Sequence, residues 1–368
     1  MREQIRLFKV AMSEKINVPL LEVIHSGWIG QGKKVEEFEE ALSKRFRNKN
    51  CLSLSAGTHG LSLALKMAGV GPGDEVITTP LTCTATNFPI VSRGANIVWA
   101  DIKEDINIQP ESIKSCITEK TKAIVFVHWG GYPADLEEIS KIGFDHGIPV
   151  IEDAAHCYGS VYKNSIIGDC EYSDYTMMSF QAIKHLTCVD GGVLFTNDKK
   201  DYKRGKLLRW YGIDREGPRT DFRCEEDIFE GGDKWHMNDV CATIGLTNME
   251  LARENVTLAR VNAHYYDQEL SKIDGIELTQ ISPDKKSSYW LYTFLVEKRS
   301  DFCTMMATKG ISVSRVHERN DKHTCFMDFR KVLPMLEWVM PRYICIPVGW
   351  WVTKEDREYI VSCIKEGW

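Results

Sequence analysis

The chain of 368 residues has no C-x-x-C pair among its 12 cysteines, which excludes the usual zinc ribbons and dithiol redox centres and leaves no metal site to assign. It has no apolar run approaching the roughly 18 residues of a membrane span, no internal repeat and no low-complexity tract. Nor is there a surplus of cations. Lys and Arg number 46 against 52 Asp and Glu, a net charge of −6, whereas nucleic-acid backbones are bound by clustered Lys and Arg. With 43% of residues apolar, the sparse hydrophobicity of disordered chains is missing too. The opening Met1-Arg2-Glu3-Gln4-Ile5-Arg6 is charged and does not read as a secretory leader. The expectation is a cytoplasmic protein with reduced cysteines used as small core residues, and with neither membrane nor nucleic acid as partner.

What is present is an alternation. From Cys51 to about Thr196, short β-rich runs take turns with helical stretches, the pattern of βαβ units and a largely parallel sheet. The predicted strands are Cys51–Ser53, Glu75–Thr79, Asn96–Ala100, Ala123–His128, Pro149–Asp153, Tyr175–Ser179 and Gly192–Thr196. Val35, Phe38, Leu42 and Phe46 form one helical apolar stripe, and Leu136, Ile139 and Ile142 another. Gly71-Pro72-Gly73-Asp74 reads as a turn. After Thr196 come a helix from Lys199 to Trp210, a polar segment from Gly212 to Asp233 read as a long loop, and a long helix from about Asn238 to Leu270. Strands at Ser288–Glu297 and Tyr343–Pro347 and a helix from Lys354 to Lys365 complete a smaller α+β unit. The predicted division is 1–245 for a large α/β domain and 246–368 for the small one.

Two of the predicted strands end in ionisable groups. Val150-Ile151-Glu152-Asp153-Ala154-Ala155-His156 and Ser179-Phe180-Gln181-Ala182-Ile183-Lys184 bring a carboxylate and a lysine to the carboxyl edge of the sheet, where open α/β folds bind ligands. Alone, the two could be an ordinary ion pair. Ser55-Ala56-Gly57-Thr58-His59-Gly60, however, feeds a helix N-terminus at the same edge and offers an anion site. A phosphate cradle, a buried acid and a lysine are the parts that hold pyridoxal phosphate (PLP): N–H groups and hydroxyls for its phosphate, a carboxylate for its ring nitrogen, an amine for its aldehyde. A lysine freed by an amino substrate is then a base beside the α-carbon.

These residues belong to a longer series: Gly27-Trp28-Ile29-Gly30-Gln31-Gly32, Gly57-Thr58, Gly71-Pro72-Gly73-Asp74-Glu75, Glu152-Asp153-Ala154-Ala155-His156, Ser179-Phe180 ahead of Lys184, Gly191-Gly192 and Met237-Asn238-Asp239. In this order they resemble the DegT/StrS-like sugar aminotransferases, fold-type I PLP enzymes that act mainly on nucleotide-linked keto sugars. The resemblance implies a large domain with a mostly parallel seven-stranded sheet and a small C-terminal α+β domain. It implies that Lys184 carries the cofactor, that Asp153 partners the pyridine nitrogen, and that His156 lies near the ring. Gly57, Thr58, His59 and Ser179 would bind the phosphate, and Asn238 would reach the phosphate of a neighbouring subunit in a homodimer. Cys83, in Pro80-Leu81-Thr82-Cys83-Thr84, stands where relatives often place an aromatic ring stacked on the cofactor, and Thr187-Cys188-Val189-Asp190-Gly191-Gly192 departs from the commoner T-x-G-E-G-G run. Relatives with histidine at the lysine position perform dehydration; this chain has Lys184.

Trp28 and Ile29, on a glycine-rich bent segment, are candidate substrate contacts, and so are His317 and Arg319 in the donor-rich run Arg315–His323, which is otherwise a solvated loop. The expected activity is transfer of an amino group from an amino acid, L-glutamate, to a keto-deoxy sugar, nucleotide-linked, on the way to a surface polysaccharide or glycoconjugate. The alternatives are a PLP-dependent sugar dehydratase or epimerase on the same scaffold, and a non-enzymatic sensor of PLP or a sugar nucleotide.

Overall fold

The computed structural model describes residues 3–218, 221, 227–279 and 282–368. All seven predicted strands form, within a residue or two of their expected bounds. They are β1 Cys51–Leu54, β2 Glu75–Thr78, β3 Asn96–Trp99, β4 Thr121–Val127, β5 Val150–Asp153 and, after the two-residue strands β6 Val161–Tyr162 and β7 Ser165–Ile166, β8 Tyr175–Ser179 and β9 Gly192–Thr196. They join in the order β1-β9-β8-β5-β4-β2-β3. Strands β8, β5, β4, β2 and β3 pair in parallel, while β9 runs antiparallel to both β1 and β8. Strands covered by helices on both faces are buried on both faces, and β1, β5 and β9 are buried at every position, the polar Ser53, Glu152 and Asp153 included.

Helices α1 Asn17–His25 and α2 Lys33–Phe46 precede the sheet; α3 Gly57–Met67, α4 Thr84–Ser92, α5 Pro110–Cys116 and α6 Leu136–His146 connect its strands, and α7 Lys199–Leu208 follows it. The stripe Val35, Phe38, Leu42 and Phe46 on α2 is fully buried against Phe180, Phe195 and their neighbours. Helix α6 ends at Gly147, φ +64, in the left-handed conformation that glycine adopts without steric cost. The expected turn at Gly71–Asp74 is closed by Asp74 N–H donating to Gly71 O at 3.2 Å. Of the long loop from Gly212 to Asp233, residues 219–220 and 222–226 lie outside the described residues.

Helix α8, Asp239–Leu270, begins one residue after its predicted start because Asn238 is its cap. Ala242, Ala252 and Val256 pack with the large sheet's core, whereas Ala259, Ala263, Tyr266 and Leu270 pack with β10 Ile276–Leu278, β12 Tyr292–Val296 and β13 Tyr343–Ile346. These three strands form an antiparallel sheet, and the two-residue strand β11 Lys285–Lys286 pairs with β6. We propose a division into a large and a small unit, with α8 shared between them.

Because β1, β2, β4, β5 and β8 point the same way, their following loops collect at one edge. Strand β9 runs the other way, so the segment entering it, Asp190-Gly191, arrives at that edge as well.

Candidate active site

Those loops enclose a cavity of about 430 Å³ lined by Gly57, Thr58, Cys83, Asp153, His156, Ser179, Lys184 and His317 among others. Eight residues expected to bind cofactor or substrate are thus brought together, from four loops of the large sheet and one of the small unit.

Asp153 ends β5 and is buried. Thr86 Oγ1 donates to its Oδ2 at 2.7 Å and Ala155 N–H to its Oδ1 at 3.1 Å. Since the Thr86 proton is spent on the carboxylate, Thr82 Oγ1 is the donor in its 2.8 Å contact with Thr86 Oγ1. Among the described residues Asp153 forms no ion pair. Burial pushes its carboxyl above the ordinary value, opposed by Thr86, Ala155 and the charge of Lys184. Beside it, His128 Nδ1 accepts from Ala134 N–H at 3.0 Å, which fixes Nε2 as the protonated nitrogen donating to Glu152 Oε2 at 2.7 Å.

Lys184 is half-buried. Its ammonium lies 3.8 Å from the centroid of Trp290, whose indole N–H donates to Ile183 O at 2.9 Å. Trp290 also stacks on His156, with centroids 3.9 Å apart and planes 12° apart. Burial draws Lys184 down to about 8, against the pull of Asp153, Cys83 and Cys157. His317 is drawn down to about 4 by burial and then by Lys184, so it is neutral near pH 7. His156 lies well below the ordinary histidine value for the same first cause.

At the other side, α3 starts at Gly57 with no side-chain cap, so its first-turn N–H groups have no partner within the helix. Close packing keeps them reachable: a Cβ on Gly57 would lie 2.9 Å from Met177 Sδ, and one on Gly192 would lie 2.6 Å from Gly57 N. The second is a collision with backbone, which cannot yield.

The donor set fits PLP. A buried carboxylate outside any ion pair suits a protonated ring nitrogen, an uncapped helix start suits a phosphate, and His156 Nδ1 and His317 Nε2 are buried without hydrogen-bond partners. Cys83 immediately precedes α4 and lines the cavity.

Other expected residues lie elsewhere. The His59 ring is not in the lining; its Nδ1 is 2.9 Å from Ser55 Oγ and it stacks on Trp235 at 5.9 Å, which leaves its backbone N–H as its contribution to the helix start. Arg319 corrects the expectation of a substrate contact: it is 2% exposed, donates twice to Asp321 at 2.6 Å and once to Glu337 at 2.6 Å, and does not line the cavity. Trp28 is 61% and Ile29 56% exposed, and Trp28 lines a separate groove of about 690 Å³. Asn238 accepts from Cys241 N–H at 2.8 Å and is also outside the cavity.

Sequence reasoning passed over Trp290, and over Asn320, whose Nδ2 donates to Thr82 O at 2.8 Å and whose Oδ1 accepts from Asn87 at 2.9 Å. Asn320 thereby pins the Cys83 loop to the small unit. A lone Trp or Asn carries no signal that separates packing from a site.

Sheet, cavity and donor set define a PLP-dependent enzyme of fold type I. The sequence model of the DegT/DnrJ/EryC1/StrS aminotransferase family matches residues 10–365, and the chain belongs to that family. It is similar to AtS13 from Actinomadura melliaura (41% identity, TM-score 0.95, all of both chains covered) and to the sugar aminotransferase CalS13 from Micromonospora echinospora (38%, TM-score 0.95, 99% of this chain and 100% of that one). It is also similar to the Helicobacter pylori aminotransferase PseC, involved in the biosynthesis of pseudoaminic acid (25%, TM-score 0.90, 99% of each). The protein is a PLP-dependent sugar aminotransferase.

Proposed function

We propose that the enzyme moves the amino group of L-glutamate to a nucleotide-linked keto-deoxy sugar, supplying an amino sugar for a surface polysaccharide or glycoconjugate. The observation that carries this reading is the convergence of Lys184, Asp153, the start of α3 and neutral His317 on one cavity. When bound, PLP supplies an aldehyde and an electron-withdrawing ring, which Asp153 keeps protonated at nitrogen. Lys184 Nζ, deprotonated in a large fraction of molecules near pH 8, takes the proton from the α-carbon of the amino donor and, in the second half of the cycle, delivers one to the sugar carbon that receives the nitrogen. His317 lines the same cavity and would meet the sugar from the Arg315–His323 run.

A homodimer completes the reading. Asp239 N–H donates to Gly30 O at 2.8 Å, so Asn238 and the exposed Trp28 and Ile29 lie side by side on the surface, where they would enter a neighbour's cavity.

Purified protein given PLP should show an absorption band that Lys184→Ala abolishes, and should form one 2-oxoglutarate per amino sugar from L-glutamate and a nucleotide-linked keto sugar. Loss of a hydroxyl or inversion of a sugar centre without nitrogen transfer would instead make it a dehydratase or epimerase.

A further inference from the structure

A groove of about 610 Å³ lies where the end of α2, the loop after β5 and the middle of α8 meet. It shares no lining residue with the Lys184 cavity. Arg45, Tyr158, Gly159, Arg253 and Arg260 line it, together with the carboxylates Glu250 and Glu254. Glu250 is paired with Lys15 at 2.8 Å, and among the described residues no carboxylate forms an ion pair with any of the three arginines. Like charges gathered without an ion-pair partner repel. The effect is visible at Arg260, which burial and then the Arg45 charge draw below its ordinary value.

The groove also holds two stranded donors. Tyr158 is 6% exposed, and its hydroxyl is buried beside the Arg45 guanidinium, yet neither the hydroxyl proton nor the buried Arg45 Nε meets an acceptor. Buried donors without acceptors are rare because each forfeits its hydration for nothing. Gly159, at φ +92, takes the left-handed backbone conformation that favours glycine, and it borders Val256 and Arg45.

We propose that this groove binds a phosphate group, with the Tyr158 hydroxyl and the guanidinium groups of Arg45 and Arg253 as its donors. The guanidinium fork matches the oxygens of a phosphate, and the groove has room for the organic part of a phosphate ester as well. Its ligand would sit one loop from the chemistry. Arg260 donates to Gly159 O at 2.7 Å and to Ser287 O at 2.8 Å, and Ser288 Oγ donates to His156 O at 2.6 Å. Arg260 thus ties together the two segments that carry His156 and Trp290.

Equilibrium dialysis of the PLP-loaded enzyme against radiolabelled inorganic phosphate, and separately against glucose 6-phosphate, tests this. Saturable binding is expected, weakened about tenfold or more in Arg45→Gln and in Tyr158→Phe, since each removes a charged or buried hydrogen bond. Tyr158→Phe deletes a single oxygen and leaves the ring that packs there, and an unchanged Lys184-dependent absorption band certifies the fold and the cofactor site of both variants. Tighter binding of glucose 6-phosphate identifies an ester as the ligand; equal or tighter binding of inorganic phosphate identifies the free ion. Absence of saturable binding, or binding that both variants leave unaltered, overturns the proposal.

Discussion

At the scale of single residues, the chemistry turns on how far burial has lowered Lys184. An ammonium loses hydration in the cavity, and Asp153 restores only part of what is lost, so the group titrates at about 8 rather than at the 10.5 of a free lysine. The sign follows directly. A lowered lysine pKa means more neutral amine at a given pH, and the neutral form is the nucleophile. Reconstitution of the apoenzyme with PLP, followed by absorbance, is therefore expected to accelerate with rising pH around a midpoint near 8; a midpoint at the ordinary lysine value would contradict the burial argument. The meeting of Lys184 and Asp153 at one edge was legible in the sequence because Asp153 closes one predicted strand and Lys184 lies in the loop after another, and the topology sends both to that edge. Arg319 was not. Its partners include Asp321, two residues on, and Glu337, brought in by tertiary packing, and nothing local announces that a donor is already committed. Trp290 illustrates the converse, since its place beside Lys184 and His156 is settled by how the small unit docks.

At the scale of elements, helix α2 is capped from a distance. Gly32 precedes it with no side chain to offer, and the acceptor comes from the first turn of α8: Asp239 Oδ1 takes the N–H groups of Gly32 at 2.7 Å and Val35 at 3.1 Å, and its Oδ2 that of Lys34 at 3.3 Å. This gives Asp239, next to the proposed subunit-crossing Asn238, a structural reason to stand where it does. Replacing a capping carboxylate costs about 1–2 kcal/mol, and burial of the stranded N–H groups adds to it. Asp239→Ala should lower the stability measured by urea unfolding by roughly 2 kcal/mol, with Asp239→Asn milder because it keeps one acceptor. The same elements show what the sequence could reveal. The strands of the large sheet are short runs rich in apolar and β-branched residues, alternating with helical stretches, so their positions were readable; β6, β7 and β11 have two residues each, too few for any periodicity, and β11 finds its partner β6 only across a long stretch of chain.

At the scale of the whole molecule, the exposed apolar surface has a pattern. Val18, Leu21 and Ile24 lie exposed along α1, Trp28 and Ile29 follow, and Phe229 is 95% exposed, more apolar area than isolated surface positions normally gather. A second copy of the chain is the proposed cover, and it makes Asn238 testable in a way that separates a residue acting across subunits from one acting within its own. Lys184→Ala has no amine and is expected to be inactive; Asn238→Ala loses both the cap of α8 and the proposed phosphate contact, and should be weakened. In a mixed dimer, if Asn238 crosses over, one site combines both substitutions and the other combines none. Unfolding and refolding the two inactive or weakened variants together in equal amounts would then restore about a quarter of wild-type activity, because half the dimers are mixed and each has one intact site. If Asn238 serves its own subunit, no intact site can form, and the mixture stays below the activity of Asn238→Ala alone. Steady-state rates of the refolded mixture, with the dimer confirmed by analytical ultracentrifugation, decide between the two arrangements.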